Sequence, residues 1–189
     1  MQRAFLVSAL VLLAGLVLSC SGTSDLDDTE AGVYLTVTDI DYGGGAFVSI
    51  CLGSDAFVEE LTITSHAKDP NAVLTSAQDV TLTRWTVTPY RTDGGTVASP
   101  MWQRDLDIYV PADGETTLEG FNYYPADYYD RVPLSYLWPS STTGGIDPET
   151  GEMVIRQAMR VHWYGRTNSG KDVDCETILE FEFKCMWGG

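Results

Sequence analysis

The stretch MVIRQAMRVHWYGRTNSGKDVDCETILEFEFKC, Met153–Cys185, decides the fold. On both sides of Asn168-Ser169-Gly170, most odd-numbered residues are apolar and most even-numbered residues are charged or polar. Successive side chains of a strand point to opposite faces, so this pattern predicts two strands, Met153–Arg166 and Lys171–Cys185, with the odd positions in the core. Both strands keep this parity only if the loop has an odd number of residues. A three-residue loop with Gly170 in the left-handed conformation meets that condition.

The predicted hairpin also fixes which residues face each other across the two strands. On the solvent face it places basic side chains opposite acidic ones: Arg166 opposite Asp172, His162 opposite Glu176, and Arg156 opposite Glu182. Exposed cross-strand pairs of opposite charge contribute about 0.2–1 kcal/mol each and specify the register. His162 is therefore predicted to be a register-setting surface residue. Because a metal site needs several convergent ligands and the other histidine, His66, lies in a different segment, we predict no metal site.

Six further segments are rich in Val, Ile, Thr, Tyr and Trp and are separated by turn residues, so they also predict strands. They are Val33–Ile40, Ala46–Leu52, Val58–Ser65, Val80–Arg91, Leu106–Val110 and Thr116–Tyr123. Many short strands with regular turns in a chain of this length indicate an antiparallel sandwich or barrel. We predict an all-β fold: an immunoglobulin-like β-sandwich of about seven to nine strands over residues 33–189.

The first residues of the chain predict an exported, lipid-anchored protein. Arg3 is followed by the uncharged apolar run Phe5–Leu18, whose 14 residues are fewer than the about 20 that a membrane-spanning helix needs. The run therefore indicates a signal peptide, residues 1–19, rather than the alternative of a short retained anchor helix. Val17-Leu18-Ser19-Cys20 resembles a bacterial lipobox, which implies cleavage before Cys20 and acylation of its thiol and new amino group with chains such as palmitate. Ser21, in place of aspartate, favours the outer membrane of the cell envelope.

Residues 20–32 are small, polar and acidic, and predict a flexible tether between the lipid and the domain. After loss of Arg3 with the signal peptide, the remaining chain has 10 Lys+Arg against 27 Asp+Glu, a formal charge of −17. A nucleic-acid-binding protein needs a basic surface, so this composition argues against a nucleic-acid partner. It also argues against electrostatic binding to anionic lipid, and the predicted contact with the membrane is the N-terminal lipid alone.

Three cysteines remain beyond Cys20: Cys51, Cys175 and Cys185. Cys175 and Cys185 lie ten residues apart on one predicted strand, about 33 Å at 3.3 Å per residue, and cannot bridge each other. Any intrachain disulfide must therefore include Cys51. Cys51–Cys185, which would join the last strand to an early one, is the preferred pairing, and Cys51–Cys175 is the competitor.

The segment Tyr123–Pro139 departs from the strand pattern because it has three prolines and crowded aromatic residues. Its rings are predicted to close one open end of the sandwich. The alternative is a carbohydrate-stacking surface, since rings near loops serve both purposes. The candidate ligand-contacting residues are Tyr124, Tyr128, Tyr129, Tyr136 and Trp138. A calcium site in the loop Asp39–Gly44 is a further possibility, although this loop lacks the spacing of an EF-hand.

Three segments resemble a group of predicted lipoproteins of unknown function from delta-proteobacteria-like and related environmental bacteria. They are DVTLTRWTVTPYRTDGG (79–95), HWYGRTNSGKD (162–172) and FKCMWGG (183–189). The shared pattern is a strand that ends in aromatic-x-Arg-x-Asp-Gly, and later an aromatic-Tyr-Gly-Arg loop before the last strand. The resemblance implies an immunoglobulin-like sandwich on the cell envelope and carries over no catalytic residue.

Signatures of common enzymes are missing from the sequence. It has no phosphate-binding glycine loop followed by Lys-Ser/Thr, no Gly-x-Ser-x-Gly and no Cys-x-x-Cys. With only two histidines, a Ser-His-Asp catalytic triad has few candidate bases. We therefore predict a non-enzymatic, lipid-anchored envelope protein without a cofactor. Its expected role is adhesion, assembly or surface organisation with an envelope protein or glycan as partner. The alternative is a carbohydrate-binding module that uses the aromatic residues of 123–138.

Overall fold

The computed structural model describes residues 30–43 and 45–186. Outside the described residues lie the predicted signal peptide, the predicted lipidation site Cys20 and most of the predicted tether.

Eight strands make up the fold, and each lies where the alternation of the sequence predicts one. They are β1 Val33–Asp41, β2 Phe47–Ser49, β3 Ala56–Ala67, β4 Val80–Arg91, β5 Trp102–Val110, β6 Glu115–Tyr124, β7 Val154–Thr167 and β8 Asp172–Lys184. The remaining regular structure in the described residues consists of 3-10 turns: Ile50–Leu52, Ser76–Gln78, Ala126–Tyr128 and Leu134–Leu137. The predicted strand Ala46–Leu52 is thus wrong in its second half, where the chain turns at Ile50 and left-handed Gly53 ends the turn.

The strands form two sheets, with the order β1-β3-β6 in one and β2-β8-β7-β4-β5 in the other. Strand β2 pairs with β8 in parallel, and all other neighbours are antiparallel. The first sheet has the strands at the positions A, B and E of an immunoglobulin domain, and the second sheet has those at C, C′, F and G. The prediction of an immunoglobulin-like sandwich is confirmed, with eight strands.

The β7–β8 hairpin pairs Val154 with Lys184 and continues without a shift to Arg166 opposite Asp172. The loop is Asn168–Gly170, and Gly170 has a φ of 85°, which an L side chain rarely adopts. Thr167 N–H donates to the Lys171 carbonyl at 2.8 Å and closes the loop. This is the odd-length loop and the register that the parity of the two strands predicts.

An aromatic cluster joins the two sheets in the centre of the core. Trp85 of β4 lies 5.1 Å from Trp163 of β7 between ring centroids, and 4.7 Å from both Phe121 and Tyr123 of β6. Aromatic pairs at such distances contribute about 0.5–1.5 kcal/mol each beyond the burial of their area. Most of the odd positions of the hairpin that the sequence assigns to the core are buried, Trp163 and Phe183 among them, but Met153 is 64% exposed and the even position Ala158 is buried.

A disulfide joins Cys51, in the turn after β2, to Cys185, just after β8. The competing pairing of Cys51 with Cys175 is absent, because Cys175 is a free thiol buried in the core opposite Trp163. Burial raises the pKa of the Cys175 thiol to about 12. The disulfide closes a loop of 134 residues and so ties the end of the last strand to an early part of the chain.

The folded domain begins earlier than Val33. Ala31 is buried in the core, and the Gly32 carbonyl accepts a hydrogen bond from Lys68 N–H at 3.0 Å. The Glu30 carboxylate forms an ion pair with the Lys171 ammonium group, next to the hairpin loop. The predicted tether, residues 20–32, is therefore too long at its C-terminal end, since composition alone does not reveal that one small apolar residue fits into the core.

The register gives the sandwich two distinct ends. The N-terminal end, as we call it, contains Glu30–Val33, the hairpin loop Asn168–Gly170 and the end of β3 at Ala67. The opposite end, which we call the distal end, contains the Cys51–Cys185 disulfide. It also contains the end of β4 at Arg91 and the long connection between β6 and β7.

Candidate functional site

The outer face of the β7–β8 hairpin carries the predicted charge pairs. Arg166 Nη2 lies 2.7 Å from Asp172 Oδ1, and Arg156 Nη2 lies 3.1 Å from Glu182 Oε2. For His162 the predicted position opposite Glu176 is confirmed but not a side-chain contact with it, because the His162 Nε2 lies 2.6 Å from Asp174 Oδ2.

His162 and Glu176 are opposed along the backbone, but their side chains have other partners. The Tyr164 ring stacks on the His162 imidazole with 4.2 Å between centroids and an interplanar angle of 17°. Tyr164 is the residue opposite Asp174, so this stack turns the imidazole toward the diagonal carboxylate. Glu176 instead contacts Arg160, with 3.3 Å between Oε1 and Nε.

A shallow groove of about 520 Å³ lies on this face, between β4 and the hairpin. Its side chains pair with each other: the Arg84 guanidinium lies 4.7 Å from the centre of the Tyr164 ring, and Arg166 is bonded to Asp172. The floor is close-packed, because a Cβ on Gly165 would lie 2.7 Å from the Thr81 carbonyl oxygen. The outer face of the hairpin is therefore a row of solvent-exposed charge pairs that specify the register.

The aromatic segment between β6 and β7 has its rings turned into the protein. Tyr124 and Tyr129 are buried, and their hydroxyls donate to the Pro100 and Ser54 carbonyls at 2.9 and 2.8 Å. Burial raises the pKa of both phenols. Trp138 Nε1–H donates to the Tyr129 carbonyl at 3.4 Å.

The two remaining candidates of this segment are half-buried. Tyr128 meets the Tyr124 ring edge-on at 65° and is covered by Arg131 at 4.3 Å, while the Tyr136 carbonyl accepts hydrogen bonds from Ser141 and Thr143. Among the described rings of this segment, none form a coplanar exposed pair. The rings therefore close the distal end of the sandwich, and their geometry does not match a flat sugar-stacking surface.

A buried ion network, which no pattern in the sequence predicts, holds the loops of the distal end. The Arg91 side chain is 1% exposed, and its Nε and Nη2 lie 2.7 Å from Asp93 Oδ1 and from Asp147 Oδ2. The Asp147 side chain is 0% exposed and also accepts from the Thr150 hydroxyl at 2.8 Å. Because Arg91 and Asp147 are 56 residues apart, no local pattern in the sequence could have paired them.

The same network extends to two loops and to β7. Asp93 Oδ2 accepts from Arg156 N–H at 2.8 Å, and Glu149 Oε2 accepts from the N–H groups of Thr96 and Val97 at 2.9 Å each. Burial by itself would raise the pKa of Asp93, but hydrogen bonds and charge from Arg91 outweigh it and hold the pKa below its usual value.

The other two carboxylates of the network also have lowered pKa values. For Asp147, burial acts to raise the pKa, and the hydrogen bond from Arg91 leads the opposing contributions that lower it. The pKa of Glu149 is lowered chiefly by the hydrogen bond from the Thr96 hydroxyl. All three carboxylates are thus stabilised in the charged form.

Exposed apolar side chains are concentrated at the distal end. Twelve large apolar side chains are exposed in the described part of the chain, and nine of them lie at this end: Phe47, Leu52, Phe57, Val97, Met101, Val132, Ile146, Met153 and Met186. Exposed apolar side chains that are concentrated in one region mark interaction sites more often than apolar side chains exposed singly. The distal end is therefore the candidate functional site.

A groove of about 250 Å³ lies beside β2 at this end, and we call it the β2 groove. Three half-exposed apolar side chains form its walls: Phe47 at 41%, Leu52 at 62% and Phe57 at 47%. Val48 and Phe181 form its buried floor. The walls come from β2, from the turn that follows it and from the start of β3, and Cys51 of that turn is fixed to Cys185.

The described residues contain no group of three or more His, Cys, Asp or Glu side chains placed to hold a metal ion. In the loop of the calcium hypothesis, Asp41 Oδ1 instead accepts from Gly43 N–H at 2.8 Å, and Asp39 Oδ2 accepts from the Thr38 hydroxyl at 3.2 Å. Across 30–43 and 45–186, the chain has no helix of sufficient length and apolarity to cross a membrane.

Comparisons with known proteins give little further information. No family model matches the chain, and no curated protein matches it. Among solved structures, a solution structure of a protein described as late embryogenesis abundant (LEA) is similar at 9% identity and a TM-score of 0.43. The alignment covers 95% of this chain and 81% of that one. At this level the similarity says nothing about the activity of the present chain.

Proposed function

We propose that this protein is a non-enzymatic, lipid-anchored protein of the cell envelope, and that its immunoglobulin-like domain serves adhesion, assembly or surface organisation. In this proposal the lipid on Cys20 holds the N-terminal end at the membrane, on the outer membrane where the cell has one. The distal end is presented to an envelope partner. The observation that supports it best is that the first residues of the domain and most of its exposed apolar side chains lie at opposite ends.

The dimensions are compatible with this orientation. From Cys20 to Glu30 the chain can extend by at most about 33–36 Å, so it keeps the N-terminal end near the bilayer. Strand β7 has 14 residues and runs about 45 Å from one end of the sandwich to the other at about 3.3 Å per residue. A domain held at one end in this way carries the β2 groove and the neighbouring loops well away from the lipid surface.

The anchor is tested by expressing the full chain in a bacterium with an outer membrane, labelling with radioactive palmitate and separating the membrane fractions. We expect the wild type to be labelled and to sediment with the outer membrane, and Cys20→Ser to lose both properties. Cys175→Ala is the matched control, because it removes a thiol that is buried in the core, and it should remain labelled. An unlabelled wild type, or a Cys20→Ser variant that stays with the membrane, would overturn the proposal.

The role of the distal end is tested by placing a photoreactive amino acid at Leu52 and, separately, at Val73. Both side chains are well exposed, but Val73 lies near the N-terminal end, in the connection between β3 and β4. On irradiation of intact cells we expect a specific adduct with an envelope component from position 52 only. Adducts from position 73 alone, or no adduct from either position, would contradict the proposed orientation.

Carbohydrate binding by residues 123–138 is the alternative function, and the burial of Tyr124 and Tyr129 gives it less support. A glycan array probes it directly. Saturable binding of a glycan that is lost in Trp138→Ala would favour the carbohydrate-binding module over a protein-directed role.

A further inference from the structure

The β2 groove has a rigid frame that does not depend on a ligand. The Cys51–Cys185 disulfide fixes the turn that carries Leu52. Ser49 Oγ donates to the Met186 carbonyl at 2.8 Å, and Met186 N–H lies 3.2 Å from the same Oγ. A groove that is formed before binding loses little conformational entropy when it is filled, and this favours affinity.

The apolar walls of the groove are not explained by packing within the domain. Phe47, Leu52 and Phe57 each expose two fifths or more of their surface, although the residues beneath them, Val48 and Phe181, are buried. A side chain of a partner that entered the groove would remove apolar area on both molecules from water, and this stabilises the bound state.

The groove lies at an edge of the five-stranded sheet. Strand β2 is the terminal strand of that sheet, and within the described residues its outer edge is not paired with another strand. An exposed strand edge offers main-chain donors and acceptors to an extended polypeptide, while neighbouring pockets select its side chains. The three-residue length of β2 allows only a short contact of this kind.

The surroundings of the groove are acidic. Asp55 lines it, and its carboxylate accepts only neutral donors, from Asn122 Nδ2 and Ala126 N, both at 2.8 Å. Glu59 lies against Gly43, next to Tyr42 of the groove wall. In the part of the chain that the structure describes, neither Asp55 nor Glu59 has an ion pair.

One cation, Lys184, lies close to this acidic surface. Its Nζ is 4.3 Å from the centre of the Phe47 ring, and it is paired with Glu182 at 3.4 Å. Glu182 is shared between Lys184 and Arg156, so Lys184 keeps part of its charge, but the carboxylates of Asp55 and Glu59 outnumber it. Electrostatic complementarity therefore favours a partner that brings positive charge, and such attraction chiefly increases the rate of association and the selectivity.

We propose that the β2 groove binds an extended polypeptide segment in which an apolar side chain is flanked by lysine or arginine. The apolar side chain lies between Phe47, Leu52 and Phe57, and the basic residues face Asp55 and Glu59. This inference rests on the proposed function, since it names the class of partner that the distal end receives.

The test uses the mature lipidated protein in nanodiscs and two fluorescein-labelled peptides, Gly-Ser-Lys-Leu-Phe-Lys-Ser-Gly and the same peptide with both lysines replaced by glutamate. Binding is measured by fluorescence anisotropy. We expect saturable binding of the lysine peptide, at least about tenfold weaker binding of the glutamate peptide, and weaker binding at higher salt. Leu52→Ser should lower the affinity for the lysine peptide about tenfold or more, because it removes apolar area from the contact.

Val73→Ser is the matched control, since it changes an apolar residue that is even more exposed than Leu52 but lies near the N-terminal end, and it should leave binding unchanged. Equal binding of both peptides, or no effect of Leu52→Ser, would overturn the proposal. So would concentration-dependent dimerisation in sedimentation that Leu52→Ser abolishes, because a second copy would then be the occupant. The anchoring experiment with Cys20→Ser does not involve the groove. Normal anchoring without peptide binding would therefore refute this inference alone.

Discussion

Replacing Arg91 by methionine is expected to destabilise the domain strongly, because it removes the cation from a buried network. Arg91→Met leaves the Asp93 and Asp147 carboxylates, which are 7% and 0% exposed, without their counterion. Breaking a buried ion pair from one side costs about 3–5 kcal/mol. For a domain of this size, 1 kcal/mol changes Tm by about 2–4 °C, so the expected decrease is about 6–20 °C. Urea unfolding followed by tryptophan fluorescence measures the free energy directly.

The control is Arg166→Met on the hairpin surface. Arg166 is also a strand arginine paired with an aspartate at 2.7 Å, but its side chain is 62% exposed. Exposed pairs of this kind contribute about 0–1 kcal/mol. If Arg91→Met and Arg166→Met lowered the free energy of unfolding by the same amount within about 1 kcal/mol, the network would not stabilise the distal end as argued. The double variant Arg91→Met/Asp147→Asn should lose less than the sum of the single variants, because the two residues interact directly.

Three further results are expected. The two aspartates that Arg91 binds have pKa values below those of unfolded aspartate, so they stabilise the domain above about pH 4, and this stabilisation is lost as the pH falls further. Urea unfolding between pH 6 and pH 3 should show the loss. If the free energies of unfolding of the wild type and Arg91→Met depended on pH in parallel, the prediction would be contradicted. Cys51→Ser/Cys185→Ser should lower the free energy of unfolding by about 2–5 kcal/mol, and an unchanged urea midpoint would refute the role of the disulfide. Cys175 should react with a thiol reagent only after unfolding, since its thiol is buried and its pKa is about 12; rapid labelling of the native protein would show otherwise.

The features that could be predicted from the sequence are those in which local rules act on consecutive residues. The β7–β8 register follows from side-chain alternation and from a three-residue loop, and all of this lies within one segment. The side-chain partner of His162 could not be predicted in the same way, because the stacking of Tyr164 selects a diagonal carboxylate over the directly opposed one. The backbone register can thus be predicted from a short segment, whereas the side-chain contacts also depend on neighbouring rings and charges.

The contacts at the distal end were harder to predict from the sequence, because they join segments that are far apart in the chain. In the sequence, Arg91 is typical of the polar end of a strand. Its buried partner Asp147 belongs to the long connection between β6 and β7, 56 residues away. The turn at Ile50–Leu52 interrupts a segment with strong strand character, at the point where Cys51 is bonded to Cys185. The β2 groove depends on this turn, so its position could not be derived from the hydrophobic pattern.

The placement of these constraints bears on function. The disulfide and the buried ion network both fix loops at the distal end, whereas the N-terminal end is joined by hydrogen bonds and by the exposed pair of Glu30 and Lys171. Exposed apolar residues on mobile loops would favour aggregation, but on fixed loops they form a surface of defined shape. The formal charge of −16 keeps such domains apart from one another, because like-charged copies repel. A rigid apolar end on an acidic domain is therefore better suited to an apolar partner with positive charge than to a second copy of itself.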